Sequence, residues 1–244
     1  TYSGLSIMPA SNRGIKVFHM EAGLRAYDRR MPEQRNRILI DHMSDVLLPY
    51  NKYHRENLIR ENIHPSKIFC TGNTTFEAMR EFEPMINNSN ILSKLSLSSK
   101  KYILVTAHRS ENVDVKENLN NIIQAMGMVA KKFKMEVIYP MHPRTKSKLE
   151  NIEIPKNIRI IKSLGFYDFN HLLKESYCVV SDSGTAAEEG LFYKVPNVSL
   201  RMATERPETV ESGATIVSGM NLENIVASVE TAVSMPWSAS YELE

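Results

Sequence analysis

Two cysteines in 244 residues are too few for a disulfide framework. Cys70 and Cys178 each fall within an apolar run, so the sequence predicts two buried thiols in a reducing cytoplasm rather than a cross-link. No apolar run approaches the ~18 residues that a membrane-spanning helix requires. Charge of one sign is also lacking. Thirty Lys and Arg against 28 Asp and Glu leave a net +2, too little to argue for nucleic acid or an acidic membrane surface as partner. The metal-binding patterns H-x-x-x-H and H-E-x-x-H, and cysteine pairs at ligand spacing, do not occur. Neither does a Walker loop or a G-x-G-x-x-G turn, which leaves a dinucleotide site without support. With 42% hydrophobic and 24% charged residues, the composition is that of a globular protein, long enough for two modest cores at ~100–200 residues per domain.

What is present is a regular alternation. "KVFHMEAG", "VLLPYN" and "KIFCTGN" read as strands, separated by the helical patterns "PEQRNRILIDHMSD" and "KYHRENLIREN" and followed by a helix in "TTFEAMREFEPMI". The polar stretch "NNSNILSKLSLSSKK" reads as a separator. After it, "KYILVTAHR", "MEVIYPMHP", "NIRIIKSLG", "YCVVSDSG", "VPNVSLR" and "ATIVSG" alternate with helices ending in "NLENIVASVETAV". Strict alternation predicts an α/β protein with parallel sheets covered by helices on both faces. The opening "TYSGLSIMPASNRG" lacks Met and reads like the middle of a βα unit, so the chain is expected to be incomplete.

Ligands of such sheets bind at the carboxyl ends of the strands. Those ends carry His19 and Glu21, His108 and Arg109, His142 with Arg144, Ser183-Gly184, and Arg201 followed by Glu205 and Arg206. Three of the seven histidines therefore gather at expected ligand-facing positions beside arginines, a composition suited to a pyrophosphate. In "VVSDSGTAAEEG" the strand-to-helix turn contains Ser183, but Ser181 and Thr185 stand where a nucleophile elbow needs glycines. Two readings stay open: Ser183 as a helix N-cap, or the turn as a cradle for an anion at a helix start, with Glu188 or Glu189 one turn on. Glu21 at a strand end and Glu33 in the first turn of the next helix form a candidate acid/base pair, set against a solvated loop residue and a helix-dipole carboxylate.

Together "HMEAGLRAYDRRMPEQRNR", "TGNTTFEAM", "ILVTAHRSENVD", "YPMHPR", "SDSGTAAEEG" and "TERPETVESG" resemble the non-hydrolysing UDP-N-acetylglucosamine 2-epimerase family, in the same order and over almost the whole chain. The resemblance implies two Rossmann-like domains arranged as in B-type glycosyltransferases, with UDP between them. It places the C-terminal part of the first domain at 1–97, the second domain at 98–233, and the start of a C-terminal crossover segment at 234–244. Carried over by motif, Glu21, Glu33 and His142 would be catalytic, and Arg109, Ser183, Gly184, Glu189 and Arg206 would bind UDP. The implied reaction eliminates UDP from C1 to give a 2-acetamidoglucal and adds it back with C2 inverted, with no metal or other cofactor. UDP-N-acetylhexosamine is the implied partner, in a cytoplasmic homodimer feeding cell-surface polysaccharide synthesis, with no nucleic acid and no membrane.

Two positions depart from the family pattern. The common H-R-R-E-N is His108-Arg109-Ser110-Glu111-Asn112, which alters the site of a regulatory UDP-sugar in many bacterial members, and P-E-E is Pro32-Glu33-Gln34. The "HMEAG", "SDSGT" and "ENVD" variants resemble relatives that epimerise other UDP-sugars, of L-talosamine or diacetamido uronic acid type. A glycosyltransferase using the same UDP cleft and a non-catalytic UDP-sugar sensor are the alternatives. The family's first domain begins with βα units preceding "TYSG", among them a Gly-Asp pair with a catalytic carboxylate. The bare chain is accordingly expected to be inactive and protease-sensitive before about Lys100.

Overall fold

The structure is a computed structural model that describes residues 2–28, 31–150 and 152–235. Within them the chain folds as two units, residues 2–74 with Ala203–Glu208, and residues 75–202 with 209–235. The division falls at Thr74/Thr75, not in the polar stretch at 87–100, and the Ala203–Glu208 segment belongs with the first unit. Among the described residues no helix is long and apolar enough to cross a membrane.

The first unit runs α1 (Tyr2–Asn12), β1 (Phe18–Met20), α2 (Pro32–Met43), β2 (Val46–Leu48) and α3 (Lys52–Arg60). Pro32 starts α2 at a position where its missing N–H costs nothing, and the Asn51 side chain accepts from the His54 N–H to start α3. β1 and β2 pair in parallel, with His19 opposite Leu47. Ala22, Leu47, Leu58, Ile63 and Ile68 form a small buried core, whereas Phe18 and Met20 are exposed. The expected third strand at 67–73 reduces to a bridge between Ile68 and Leu47, with two further N–H donors, Phe69 to Leu47 and Thr71 to Pro49. Cys70 therefore lies on the surface, contrary to the buried thiol expected from its apolar flanks.

In the second unit α4 (Thr74–Glu81), α5 (Glu83–Asn87) and α6 (Ile91–Leu95) precede the sheet. The single helix expected at 74–86 breaks at Phe82 because Pro84 lacks an N–H and its ring would meet the carbonyl four residues back. Ile91, Leu92, Leu95 and Leu97, within the expected separator, pack against Tyr102 and Leu104, which places this stretch with the second unit.

The sheet strands and helices follow: β3 (Tyr102–Thr106), α7 (Ser110–Val113), α8 (Lys116–Phe133), β4 (Glu136–Met141), α9 (Pro143–Lys146), β5 (Ile158–Lys162), α10 (Phe166–Lys174), β6 (Cys178–Ser181), α11 (Gly184–Tyr193), β7 (Asn197–Ser199), α12 (Pro207–Glu211), β8 (Thr215–Val217) and α13 (Leu222–Ser234). The six strands are all parallel in the order β5-β4-β3-β6-β7-β8, the Rossmann arrangement in which the strand order reverses between the first and fourth strands. Ile103, Val105, Val180 and Val198 pack with Ile122, Met126 and Val229 of α8 and α13. Tyr102, Leu104 and Val179 point the other way, onto Leu172 and Leu173 of α10 and Ala186 of α11. A sheet buried on both faces needs such unbroken apolar strands, which is why "YILV" and "CVV" show no polar alternation. Cys178 sits within this layer, where burial pushes its thiol up to about 12.

α13 starts at Asn221, whose side chain accepts from the backbone N–H of Glu223 at 2.9 Å and of Asn224 at 3.2 Å. Asn221→Ala removes both acceptor contacts and is expected to cost about 1 kcal/mol. A urea unfolding midpoint equal to that of the wild type would show that the cap contributes nothing to the α13 layer.

Candidate functional site

Parallel pairing brings every strand's carboxyl end to one edge of the second unit's sheet, so the residues following β4, β3, β6 and β7 line up there in that order. They are His142, His108-Arg109, Ser183-Gly184 and Arg201. The crevice that forms where strand order reverses lies between β3 and β6, and His108-Arg109 and Ser183-Gly184 flank it. Ser183 is the N-cap of α11 by backbone position, with φ −81° and ψ 132°, yet its side chain makes no capping hydrogen bond. Its own N–H donates to Ser181 Oγ at 2.9 Å. The N-cap reading of the hydroxyl therefore fails, and the helix start presents its N–H groups to whatever lies at the turn. His142 is exposed, and its carbonyl accepts from the Thr145 and Lys146 N–H groups as α9 begins. The Arg144 side chain lies outside the described residues.

The two glutamates of α11 both point inward, Glu188 1% and Glu189 5% exposed. Asn170 of α10 donates to Glu189 Oε1 at 3.4 Å. Burial, reinforced by the nearby Glu188 charge and opposed by Asn170, pushes the Glu189 carboxyl up to about 8. At neutral pH it is mostly the protonated acid, able to donate as well as accept, and donors placed against it would favour its ionised form.

In the first unit, four charged side chains close a ring. Arg206 donates to Glu21 Oε1 at 3.1 Å and to Glu205 Oε1 at 2.7 Å. Arg37 of α2 lies 3.5 Å from Glu21 Oε2 and 3.8 Å from Glu205 Oε1. Each guanidinium thus touches both carboxylates. Glu21 is the most open member, its side chain 37% exposed against 5% for Glu205. The Glu21 backbone is left-handed, φ 63°, a conformation that costs a non-glycine residue about 1–2 kcal/mol. Gly23, φ 80°, follows, and a Cβ there would lie 2.2 Å from the His54 carbonyl oxygen, so only glycine fits. Asp41 of α2 holds this turn. Its Oδ1 is 2.6 Å from His19 Nδ1, and its Oδ2 accepts from the Gly23 N–H at 3.1 Å and lies 2.7 Å from Arg25 Nη2. Nearby His54 is buried, and desolvation followed by the Arg206 guanidinium lowers its imidazole to about 3. It is neutral at physiological pH, so the 3.6 Å approach of its Nε2 to Glu208 is not an ion pair.

The structure brings Glu21 and Arg206 together, within the first unit. Arg206 belongs to the first unit, although it falls within the 98–233 span expected of the second domain. Glu33 is exposed in the first turn of α2 and stands outside the ring. Arg109 lies at the switch-point turn with Nη1 3.3 Å from Glu111 Oε1. Sequence reasoning missed Arg37, Asp41 and Asp182. Arg37 lay within the quoted "PEQRNR", but only a folded α2 shows which of its two arginines reaches Glu21.

A family model described as UDP-N-acetylglucosamine 2-epimerase matches residues 3–242. Over 230 residues the chain is 40% identical to a UDP-N-acetylglucosamine 2-epimerase of Methanocaldococcus jannaschii, covering 91% of this chain and 63% of that protein. It is 32% identical over 229 residues to a UDP-2,3-diacetamido-2,3-dideoxy-D-glucuronate 2-epimerase of Pseudomonas aeruginosa, covering 93% and 63%. A crystal structure of the Methanocaldococcus jannaschii UDP-GlcNAc 2-epimerase in complex with UDP-GlcNAc and UDP matches with a TM-score of 0.88 at 37% identity, over 97% of this chain and 68% of that one. The chain thus spans just under two thirds of the length of the curated relatives it matches.

The Glu189 carboxyl is raised from 4.5 in the unfolded chain to about 8 in the fold. The folded state therefore binds the extra proton, and the stability this gives is fully present below about pH 4.5 and is lost as pH rises to about 8. Relative to Glu189→Gln, which keeps the shape without the titration, the wild type should lose a few kcal/mol across that window, at ~1.4 kcal/mol per pKa unit. Parallel melting curves of the two proteins from pH 5 to 8 would contradict the assignment.

Proposed function

Since this chain belongs to the UDP-N-acetylglucosamine 2-epimerase family, we propose that it is the UDP-handling and proton-transferring part of an enzyme that interconverts UDP-N-acetylglucosamine and UDP-N-acetylmannosamine. The observation that carries the reading is the start of α11, which has no side-chain cap and sits beside the His108-Arg109 turn at the strand-order reversal. A diphosphate fits that corner, because helix N–H groups and a guanidinium both favour an anion. Glu189, one turn into α11, is assigned to the ribose hydroxyls. His142 and Arg109 are assigned to the charge that develops on UDP as the C1–O bond breaks, an electrostatic role in place before the reaction begins.

The C2 proton of an N-acetylhexosamine is not adjacent to a carbonyl and is scarcely acidic. Departure of UDP gives C1 oxocarbenium character, which acidifies it. Loss of that proton yields the 2-acetamidoglucal, and protonation of C2 from the opposite face with return of UDP to C1 gives the epimer. Atoms balance: one proton leaves C2 and one solvent-exchangeable proton is delivered to it, and the UDP lost in the first half returns in the second. Glu21, held by Arg37 and Arg206, and Glu33 at the start of α2 are the assigned proton carriers. In this reading the enzyme is a cytoplasmic homodimer that supplies cell-surface polysaccharide synthesis.

A second substrate has a specific point in its favour, the 32% identity to a UDP-diacetamido-glucuronate 2-epimerase. The two are separated by incubating the protein with each UDP-sugar in heavy water and following C2 by proton NMR. The reading expects the C2 epimer with deuterium at C2, from UDP-N-acetylglucosamine faster than from the uronate. Glu21→Gln and Glu33→Gln should each slow both exchange and turnover by about 10²–10⁴-fold. Hydrolysis without any epimer would overturn the epimerase reading, and wild-type exchange in both variants would remove these carboxylates from it.

A further inference from the structure

Asp182 stands between Ser181 and Ser183, and its side chain is completely buried. Its carboxylate does not point to the start of α11. It reaches across the strand-order reversal and accepts the His108 N–H at 3.1 and 3.0 Å on its two oxygens, the Arg109 N–H at 2.8 Å, and Asn112 Nδ2 at 3.1 Å. The His108 ring Nδ1 lies 3.4 Å from Oδ1. The Asp182 main chain is fixed as firmly, its N–H donating to the Thr106 carbonyl at 3.2 Å and its carbonyl accepting from Arg201 Nε at 2.6 Å. Asn112 extends the network to the Leu200 carbonyl at 3.0 Å, and Tyr139 donates to the Ala107 carbonyl at 2.9 Å.

A fully buried carboxylate is costly unless its lone pairs are met, and here donors from the β3–α7 turn meet them. The geometry has a consequence for ligands. The backbone N–H groups of His108 and Arg109 are consumed by Asp182, so what these two residues can present to an anion is the imidazole and the guanidinium. The opposite wall, the start of α11, begins one residue after the same aspartate. One buried side chain thus sets the spacing of the two walls between which a diphosphate would bind. We propose that Asp182 is a positioning residue that assembles the diphosphate subsite without touching the ligand. The proposal rests on the assignment of UDP to this corner.

The test compares UDP with uridine by calorimetry on the wild type, Asp182→Asn and Asn112→Ala. Asparagine at 182 keeps the shape but turns an NH2 toward N–H donors it cannot pair with. UDP affinity should fall at least tenfold while uridine affinity changes less than twofold. A general loosening of the fold would weaken both ligands alike, and an unchanged ratio of UDP to uridine affinity in Asp182→Asn overturns the proposal. If that variant does not fold, Asn112→Ala, which removes one of the donors, decides in the same way: about a threefold fall in the ratio is expected, and an unchanged ratio overturns it. A wild type that binds neither UDP nor uridine overturns the UDP assignment itself, and this inference with it.

Discussion

The pairing of β3 with β6, Ile103 opposite Cys178 through Thr106 opposite Ser181, is the constraint on which the second unit depends. It makes the first strand of the sheet central, so that β4 and β5 extend one way and β6, β7 and β8 the other. Both faces of the central strands are then buried, which accounts for the apolar run from Tyr102 to Val105 and for two helix layers rather than one. The same pairing opens a crevice at the carboxyl ends. His108-Arg109, beyond Thr106, and Ser183-Gly184, beyond Ser181, emerge side by side at that end of the sheet.

Each unit satisfies its buried charge differently. Around Glu21 and Glu205 the counter-charges are guanidiniums, and the alternating ring avoids leaving any one ion uncompensated, a fault that costs ~3–5 kcal/mol when a buried pair is broken. Asp182 is met by the backbone N–H groups of His108 and Arg109 and by the Asn112 amide, with the His108 ring 3.4 Å from one oxygen. Glu189 has one weak donor at 3.4 Å and resolves the problem by holding a proton. The four carboxyl groups share a chemistry but differ in what meets them: guanidiniums, backbone and amide donors, or a single amide.

Much of this was legible in the sequence because it follows from local pattern. The parallel α/β class, the strand ends carrying His108, His142 and Ser183, and the buried Cys178 came from apolar runs and their polar termini. What could not be read depended on contacts distant in sequence. Cys70 has apolar neighbours, yet only a strand pairing beyond Ile68 would have covered it. Ile91 and Leu95 lie in an Asn- and Ser-rich stretch whose composition resembles a linker, and their packing on Tyr102 is invisible until the sheet exists. Arg206 occurs among residues of the second half but is drawn to Glu21, 185 positions earlier. Asp182 carried no signal in the sequence because its carboxylate pairs with residues 70 or more positions away.

The strained backbone of Glu21 is held by a related device. His19 and Gly23, two residues to either side of it, are tied to the two oxygens of Asp41, which lies fully buried on α2 and is steadied by Arg25. Arg25 is in turn fixed by Glu61, its Nε 2.7 Å and its Nη2 2.6 Å from the two carboxylate oxygens. With both flanks anchored to one side chain, the chain between them must turn sharply, and the left-handed φ of Glu21 is the conformation that closes the span. The absence of a Cβ at Gly23 lets the span approach the His54 carbonyl. The direction in which Glu21 presents its carboxylate is thus set by residues that need not meet a ligand themselves. Asp41 does for one glutamate what Asp182 does for a histidine and an arginine, converting the rigidity of a buried network into the orientation of a more exposed group.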